Sequence, residues 1–221
     1  MSQLKLLHLC DSLFPVGAFA FSDGLESATS AGIVSSAEDL RAWIDAVLDE
    51  AIGHAEGPAV WRAWQAFHDR DWDALAALND EVNALKPAAS ARRSSRAMGL
   101  RLLTTWQALH PDPRLEHALA RLTHPGLPVA FAGACACSGV GQRESVEAFA
   151  YTRLAAAISA AMRLMPIGQT DAHALLARTL ARVPQVVAAI ADRDADPESF
   201  TPAMDITAMS QQYLHSRLFR S

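Results

Sequence analysis

The chain has 221 residues, 51% hydrophobic and 19% charged, with a formal net charge of −5. One core still grows efficiently at that length, so a single domain suffices, and the apolar excess suggests further buried surface such as a subunit interface. The charge is spread along the chain and excludes the dense positive field that a phosphate backbone requires, while an odd set of three cysteines, Cys10, Cys135 and Cys137, argues against a disulfide framework.

The first eight residues carry one basic side chain and a broken apolar run, and Asp11 follows before any cleavage pattern, so no signal peptide is expected and the cytoplasm fits best. Ser35-x-x-Glu38 or Ser36-x-x-Asp39 then gives a capping signal. Behind it Leu40, Trp43, Ile44, Val47, Leu48, Ala51 and Ile52 recur at helical spacing, which predicts a helix over 36–54. Gly57-Pro58 restarts the chain, with Val60, Trp61, Trp64 and Phe67 in one stripe. A short helix over 72–85 turns Trp72, Leu75, Leu78 and Val82 inward. The next, over 91–109, has Ser94 or Ser95, Met98, Leu102 and Trp106 on one side and Arg92, Arg93 and Arg96 on another. Pro111 and Pro113 end it.

A brief amphipathic helix over 114–122 closes at His124-Pro125-Gly126. Pro128 opens a run of small residues, Ala130, Ala132, Gly133, Ala134, Cys135, Ala136, Cys137 and Ser138. With little bulk to hold neighbours away, this helix is expected at the centre of a bundle, and Gly139-Val140-Gly141 reads as its C-cap and turn. A long helix over 144–165 places Val146, Phe149, Ala157, Ile158, Ala161 and Leu164 inward and stops at Pro166 and Gly168. Thr170 is expected to cap the following helix, and Pro184 to kink or divide it. Residues 192–202 read as a polar linker, and an apolar-basic tail follows. No run alternates with period two, and the most apolar stretches fall short of the ~20 residues that span a bilayer. The fold class is therefore all-α: a globular helical bundle over 1–193, with a flexible linker and C-terminal docking tail over 194–221.

The chemistry-bearing residues form no reaction centre that the sequence reveals. Neither Lys5 nor Lys86 follows a phosphate-cradling glycine pattern. Cys135 and Cys137 diverge by about 200° on a helix and suit a packed core better than one metal ion. His110, His117 and His124 recur at seven-residue intervals, about 10 Å apart along a helix and too far for a shared ion. His8 and Cys10 are weak candidates for transient contact with a metal. Glu26, Asp39, Glu56, Glu144 and Asp171 suit helix starts or polar faces, and the eight histidines lack a nucleophile context. Arg92, Arg93 and Arg96 suit either a solvated face or a docking patch. Arg217-Leu218-Phe219-Arg220, an apolar pair between two arginines near the chain's end, suits partner binding. The competing classes are a helical-bundle enzyme or small-molecule binder and a helical DNA regulator.

Five segments in order resemble the UreF-type urease accessory proteins. These are Pro15-x-Gly17 leading into Ser22-x-Gly24-Leu25-Glu26; Ser95-x-x-Met98-Gly99; His124 and Pro128 with Gly133; the stretch from Arg163 through Pro166, Gly168 and Gln169 to Asp171; and the terminal Ser216-Arg217-Leu218-Phe219-Arg220-Ser221. The resemblance implies an all-α, dimeric chaperone without turnover of its own. It implies binding to a UreD-type (also called UreH) scaffold and recruitment of a UreG-type GTPase for insertion of nickel into apo-urease, with nickel in transit and no stably bound cofactor. Arg217, Leu218, Phe219, Arg220 and Ser221, with Arg96, would then contact partners, the tail becoming ordered when the scaffold binds. Pro15, Gly17, Ser22, Gly24, Leu25, Glu26, Gly99, Pro166, Gly168 and Gln169 would be structural. Gln211, Gln212 and His215 depart from the family pattern and bear on partner specificity.

Overall fold

Ser36 starts the first long helical stretch through a reciprocal cap. Its Oγ accepts from the Asp39 amide at 3.1 Å while the Asp39 carboxylate accepts from the Ser36 amide at 2.9 Å, which selects the second of the two capping registers in the sequence. In the computed structural model, which describes residues 2–17 and 20–220, this helix is α3 (Ala37–Ala46), preceded by α1 (Ser2–Leu9) and α2 (Leu25–Ser30). It runs without interruption into a π-helical stretch, Val47–Glu56, and on into α4 (Gly57–Asp69). The expected restart at Gly57-Pro58 is thus corrected, because Glu56 and Gly57 both keep right-handed helical dihedrals. Pro58 donates no N–H, and the His54 carbonyl four residues before it accepts from the Glu198 amide at 2.8 Å. Glycine is needed there: a Cβ on Gly57 would lie 2.5 Å from the Ile52 carbonyl oxygen and 2.6 Å from Ile190 Cδ1.

Helices α5 (Trp72–Ala84), α6 (Ala89–Leu109) and α7 (Pro113–Arg121) follow, then α8 (Leu127–Cys137) and α9 (Gln142–Leu164). The small-residue helix α8 is central, as its composition predicts. It is buried from Pro128 to Ala136 and packs against α4, α6 and α9. A Cβ on Gly133 would fall 2.5 Å from Phe67 Cζ, so the bare glycine lets the α4 ring sit on the α8 backbone. A Cβ on Gly99 would fall 2.2 Å from the Pro125 carbonyl oxygen, and one turn earlier Ser95 Oγ accepts from the Leu127 amide at 3.1 Å. Ser95-x-x-Met98-Gly99 therefore seats α6 against the entry to α8.

Helix α10 (Gln169–Leu180) has extended Gly168 as its N-cap, so Thr170, expected to cap it, lies inside the first turn. A turn at Ala181-Arg182 separates α10 from α11 (Val183–Arg193), and Pro184 falls in the first turn of α11, where its missing N–H is harmless. The stretch Gln169–Arg193 is long and apolar enough to cross a membrane by composition, but it is divided in two and folded against α9 and the π stretch. The expected linker is held to the bundle. Arg62 donates to the carbonyls of Asp194 (2.6 Å) and Ala195 (3.1 Å), and the Glu198 amide donates to the His54 carbonyl at 2.8 Å. Helix α12 (Pro202–Ser210) and a 3-10 turn, Gln211–Tyr213, carry the chain back to α2.

Candidate functional site

The two terminal motifs meet. Glu26, in the first turn of α2, is buried, and its carboxylate gathers the C-terminal segment. Oε1 accepts from the Leu218 amide at 2.5 Å; Oε2 accepts from the Phe219 amide at 3.3 Å and from Gln211 Nε2 at 2.7 Å. Ser22 Oγ donates to Gln211 Oε1 at 3.2 Å and accepts from the Glu26 amide at 3.4 Å. Downstream, the Arg220 amide donates to the Ala20 carbonyl at 2.8 Å. A carboxylate that accepts buried amide hydrogens makes charge-assisted bonds of about 1.5–3 kcal/mol each, enough to fix the register of a short segment.

Packing supports these bonds. Phe219 is only 3% exposed and lies under the Arg163 guanidinium, 4.1 Å from ring centroid to Cζ. Burial lowers the pKa of Arg163 and the nearby Glu26 charge works against that lowering. Gly24 takes φ of +89°, and a Cβ there would stand 2.9 Å from both the Ala208 amide nitrogen and Thr207 Oγ1. It therefore meets two demands, a left-handed turn and the close approach of α12. Leu25 is fully buried in the core. Each named residue of Ser22-x-Gly24-Leu25-Glu26 either forms the seat or supports the helix carrying it. Pro15 stands exposed at its turn and Gly17 takes φ of +82°.

This placement revises the reading of the tail. Residues 194–220 run back along the bundle, with Phe219 in the core, whereas a flexible tail was expected. The outward side chains are Arg217, Leu218, which is 71% exposed, and Arg220. Ser221, Ala18 and Phe19 lie outside the described residues. Arg96 Nε donates to Asn83 Oδ1 at 3.0 Å and links α6 to α5. Asn83 and Asn79 in turn donate to the His124 carbonyl, both at 3.1 Å. Gln211, one of the departures from the family pattern, belongs to the seat, while Gln212 and His215 are exposed.

A second polar cluster lies beside the seat and was missed in the sequence. Glu56, at the end of the π stretch, pairs with Lys86 Nζ and with Arg153 Nε, each at 2.9 Å, and Arg153 also bonds Asp23. Burial works to raise the Glu56 pKa, but Arg153 and Lys86 outweigh it and hold it at about 2. Glu56 follows Ile52 by four residues and precedes Val60 by four. A charge on that buried helical face is the signal that could have revealed the pair. Asp23, Arg153 and Met204 also line an apolar groove of about 1060 Å³ between the N-terminal turn and helices α8 and α9, which extends to Arg163.

The cysteines are unpaired thiols. Burial pushes Cys10 up to about 11 and Cys137 up to about 12, and raises Cys135 further, so all three stay protonated at neutral pH and are poor metal ligands. Among the described residues no three His, Cys, Asp or Glu side chains gather as a metal site. Cys10 is partly buried, whereas His8 is exposed and lies against Phe14, Trp106 and His110.

Fold and site together define an all-α bundle whose N-terminal Ser-x-Gly-Leu-Glu turn seats the chain's own C-terminal segment. The UreF family model matches residues 34–180. Proteins named urease accessory protein UreF are similar over nearly the full length. That of Azoarcus sp. (strain BH72) is 33% identical, covering 99% of this chain and 95% of the relative. That of Methylobacillus flagellatus is 32% identical over 100% and 98%, and that of Lachnoclostridium phytofermentans 30% over 99% and 98%. The chain belongs to the UreF family of urease accessory proteins. The family-model match stops short of both seat and tail, which only the full-length relatives cover.

Proposed function

We propose that the chain acts as a cytoplasmic, homodimeric adaptor without turnover of its own: it binds a UreD/UreH-type scaffold and recruits a UreG-type GTPase, and the assembly delivers nickel, as cargo, to apo-urease. The observation that carries this reading is the seated tail. Glu26 and the buried Phe219 hold the backbone while Arg217, Leu218 and Arg220 face outward. An apolar side chain between two guanidinium groups on a held backbone binds a partner at a small ordering cost. Phe200, Ile206, Met209 and Tyr213 are also exposed on the same C-terminal segment.

The test is co-purification of the full chain, and of a deletion of residues 216–221, with a scaffold and a GTPase from the same cell, the complexes being weighed by light scattering. Assembly with the full chain and its loss with the deletion are expected. Assembly unaffected by the deletion would remove the tail from the docking surface. A second reading, small-molecule binding, is favoured by the groove alone, whose volume is in the range of ligand pockets. It requires a ligand-dependent rise in Tm for the purified chain.

A further inference from the structure

Asp23 takes φ of +48°, in the left-handed region that a residue with a Cβ seldom enters. Among the described residues two other non-glycines, Arg70 and Asp194, do so as well, and each closes the C-terminus of a helix, where a left-handed cap is a common ending. Asp23 instead precedes a helix. With Gly24 at +89° it forms a turn in which the Leu25 amide donates to the Ser22 carbonyl at 3.0 Å, and two consecutive positive φ values give the primed geometry that Asp-Gly favours. Both sides of the turn meet the tail: Ser22 bonds Gln211, and Glu26, next after Leu25, accepts from the Leu218 and Phe219 amides. The N-cap of α2 is Gly24, which offers no side chain to fix the helix start.

Support for the turn comes from α9. Arg153 donates from Nη1 to Asp23 Oδ2 and from Nε to Glu56 Oε2, the latter at 2.9 Å, while Lys86 Nζ donates to Glu56 Oε1 at 2.9 Å. Two cations and two carboxylates thus balance in a row that runs from the end of the π stretch to the turn. A guanidinium presents a planar fork that holds two carboxylates at fixed angles, whereas an ammonium is a point charge on a flexible stem. Further along the same helix, roughly 15 Å of rise from Arg153, Arg163 lies over the Phe219 ring.

We propose that Arg153 is a positioning residue for the C-terminal segment: by gripping Asp23 and Glu56 together it fixes the turn at residues 22–25, and with it the place from which Glu26 receives the Leu218 and Phe219 amides. Helix α9 then serves as a common reference, Arg153 setting the seat and Arg163 meeting the ring that the seat holds. The inference deepens the partner-binding reading, on which its functional consequence rests: an ion row outside the tail decides the register at which Arg217, Leu218 and Arg220 face outward. Local turn propensity is the competing cause, and asparagine enters the left-handed region as readily as aspartate. Asp23→Asn therefore keeps that propensity and removes the charge that Arg153 grips.

Amide-resolved hydrogen exchange of the full chain tests it. In Asp23→Asn, and in Arg153→Lys, whose ammonium keeps Glu56 without the fork that also reaches Asp23, exchange at the Leu218 and Phe219 amides is expected to rise roughly fivefold or more while α8 is unchanged. Combined with Glu26→Ala, which already removes the acceptor, Asp23→Asn is expected to add less than about twofold. Unchanged exchange at the two tail amides in Asp23→Asn, or an equal acceleration in α8, would overturn the positioning role. Asp23→Asn keeps the test readable if Arg153→Lys disturbs the core. Affinity of Asp23→Asn for a UreD/UreH-type scaffold separates the two readings: faster exchange in the tail with unaltered affinity sustains the positioning role and overturns docking through the seated tail.

Discussion

Glu26 links the first turn of α2 to a segment 192 residues away, and its role is set by what its two oxygens accept. Replacing it with alanine removes a charge-assisted acceptor from the Leu218 and Phe219 amides, at roughly 2 kcal/mol. Native-state hydrogen exchange at those two amides is predicted to accelerate by at least tenfold, while exchange in α8 stays unchanged. Glu56 makes a different prediction. Its pKa, about 2 in the folded chain, lies below the value near 4.3 of an unfolded glutamate, so the unfolded state binds the proton more readily. The stabilisation is fully present above about pH 5 and is lost as the pH falls through roughly 4 towards 2, on the order of 3 kcal/mol in all. Glu56→Gln should therefore lower Tm at pH 7 and flatten its dependence between pH 5 and 3. A wild-type acid limb retained in the variant would assign that limb to other carboxylates.

Among the elements, legibility followed the range of the interactions. The cap of α3 is local, three residues from Ser36 to Asp39, and it could be read directly. The centrality of α8 followed from side-chain volume alone, and Gly133 against Phe67 is its sharpest expression. Gly133→Ala is predicted to lower stability by about 1–3 kcal/mol through overpacking, seen as a fall in Tm; an unchanged Tm would mean that α4 yields without cost. The π stretch was not legible, since Gly57-Pro58 has the composition of a helix start, and what makes glycine necessary there includes Ile190 of α11, a contact distant in sequence. Helix α12 was read as linker and tail because it is short and most of its residues remain exposed or half-exposed. The Glu26 seat gave no pairing signal, as its partners are backbone amides, although both segments stood out for their composition.

At the scale of the whole molecule, one chain brings the turn at residues 20–26 and its C-terminal segment together on a packed helical body. The N-terminal turn supplies the seat, α9 supplies Arg163 over Phe219, and the pinned segment after α11 sets the path by which α12 arrives. The seat fixes the tail's register and thereby decides which side chains face a partner. The direct measurement is the affinity of a UreD/UreH-type scaffold from the same cell for the full chain, for Glu26→Ala and for the chain lacking residues 216–221, with helicity checked by circular dichroism. The account predicts unchanged helicity and a loss of at least tenfold in affinity for both variants. Scaffold binding by both variants as tight as by the full chain would contradict it.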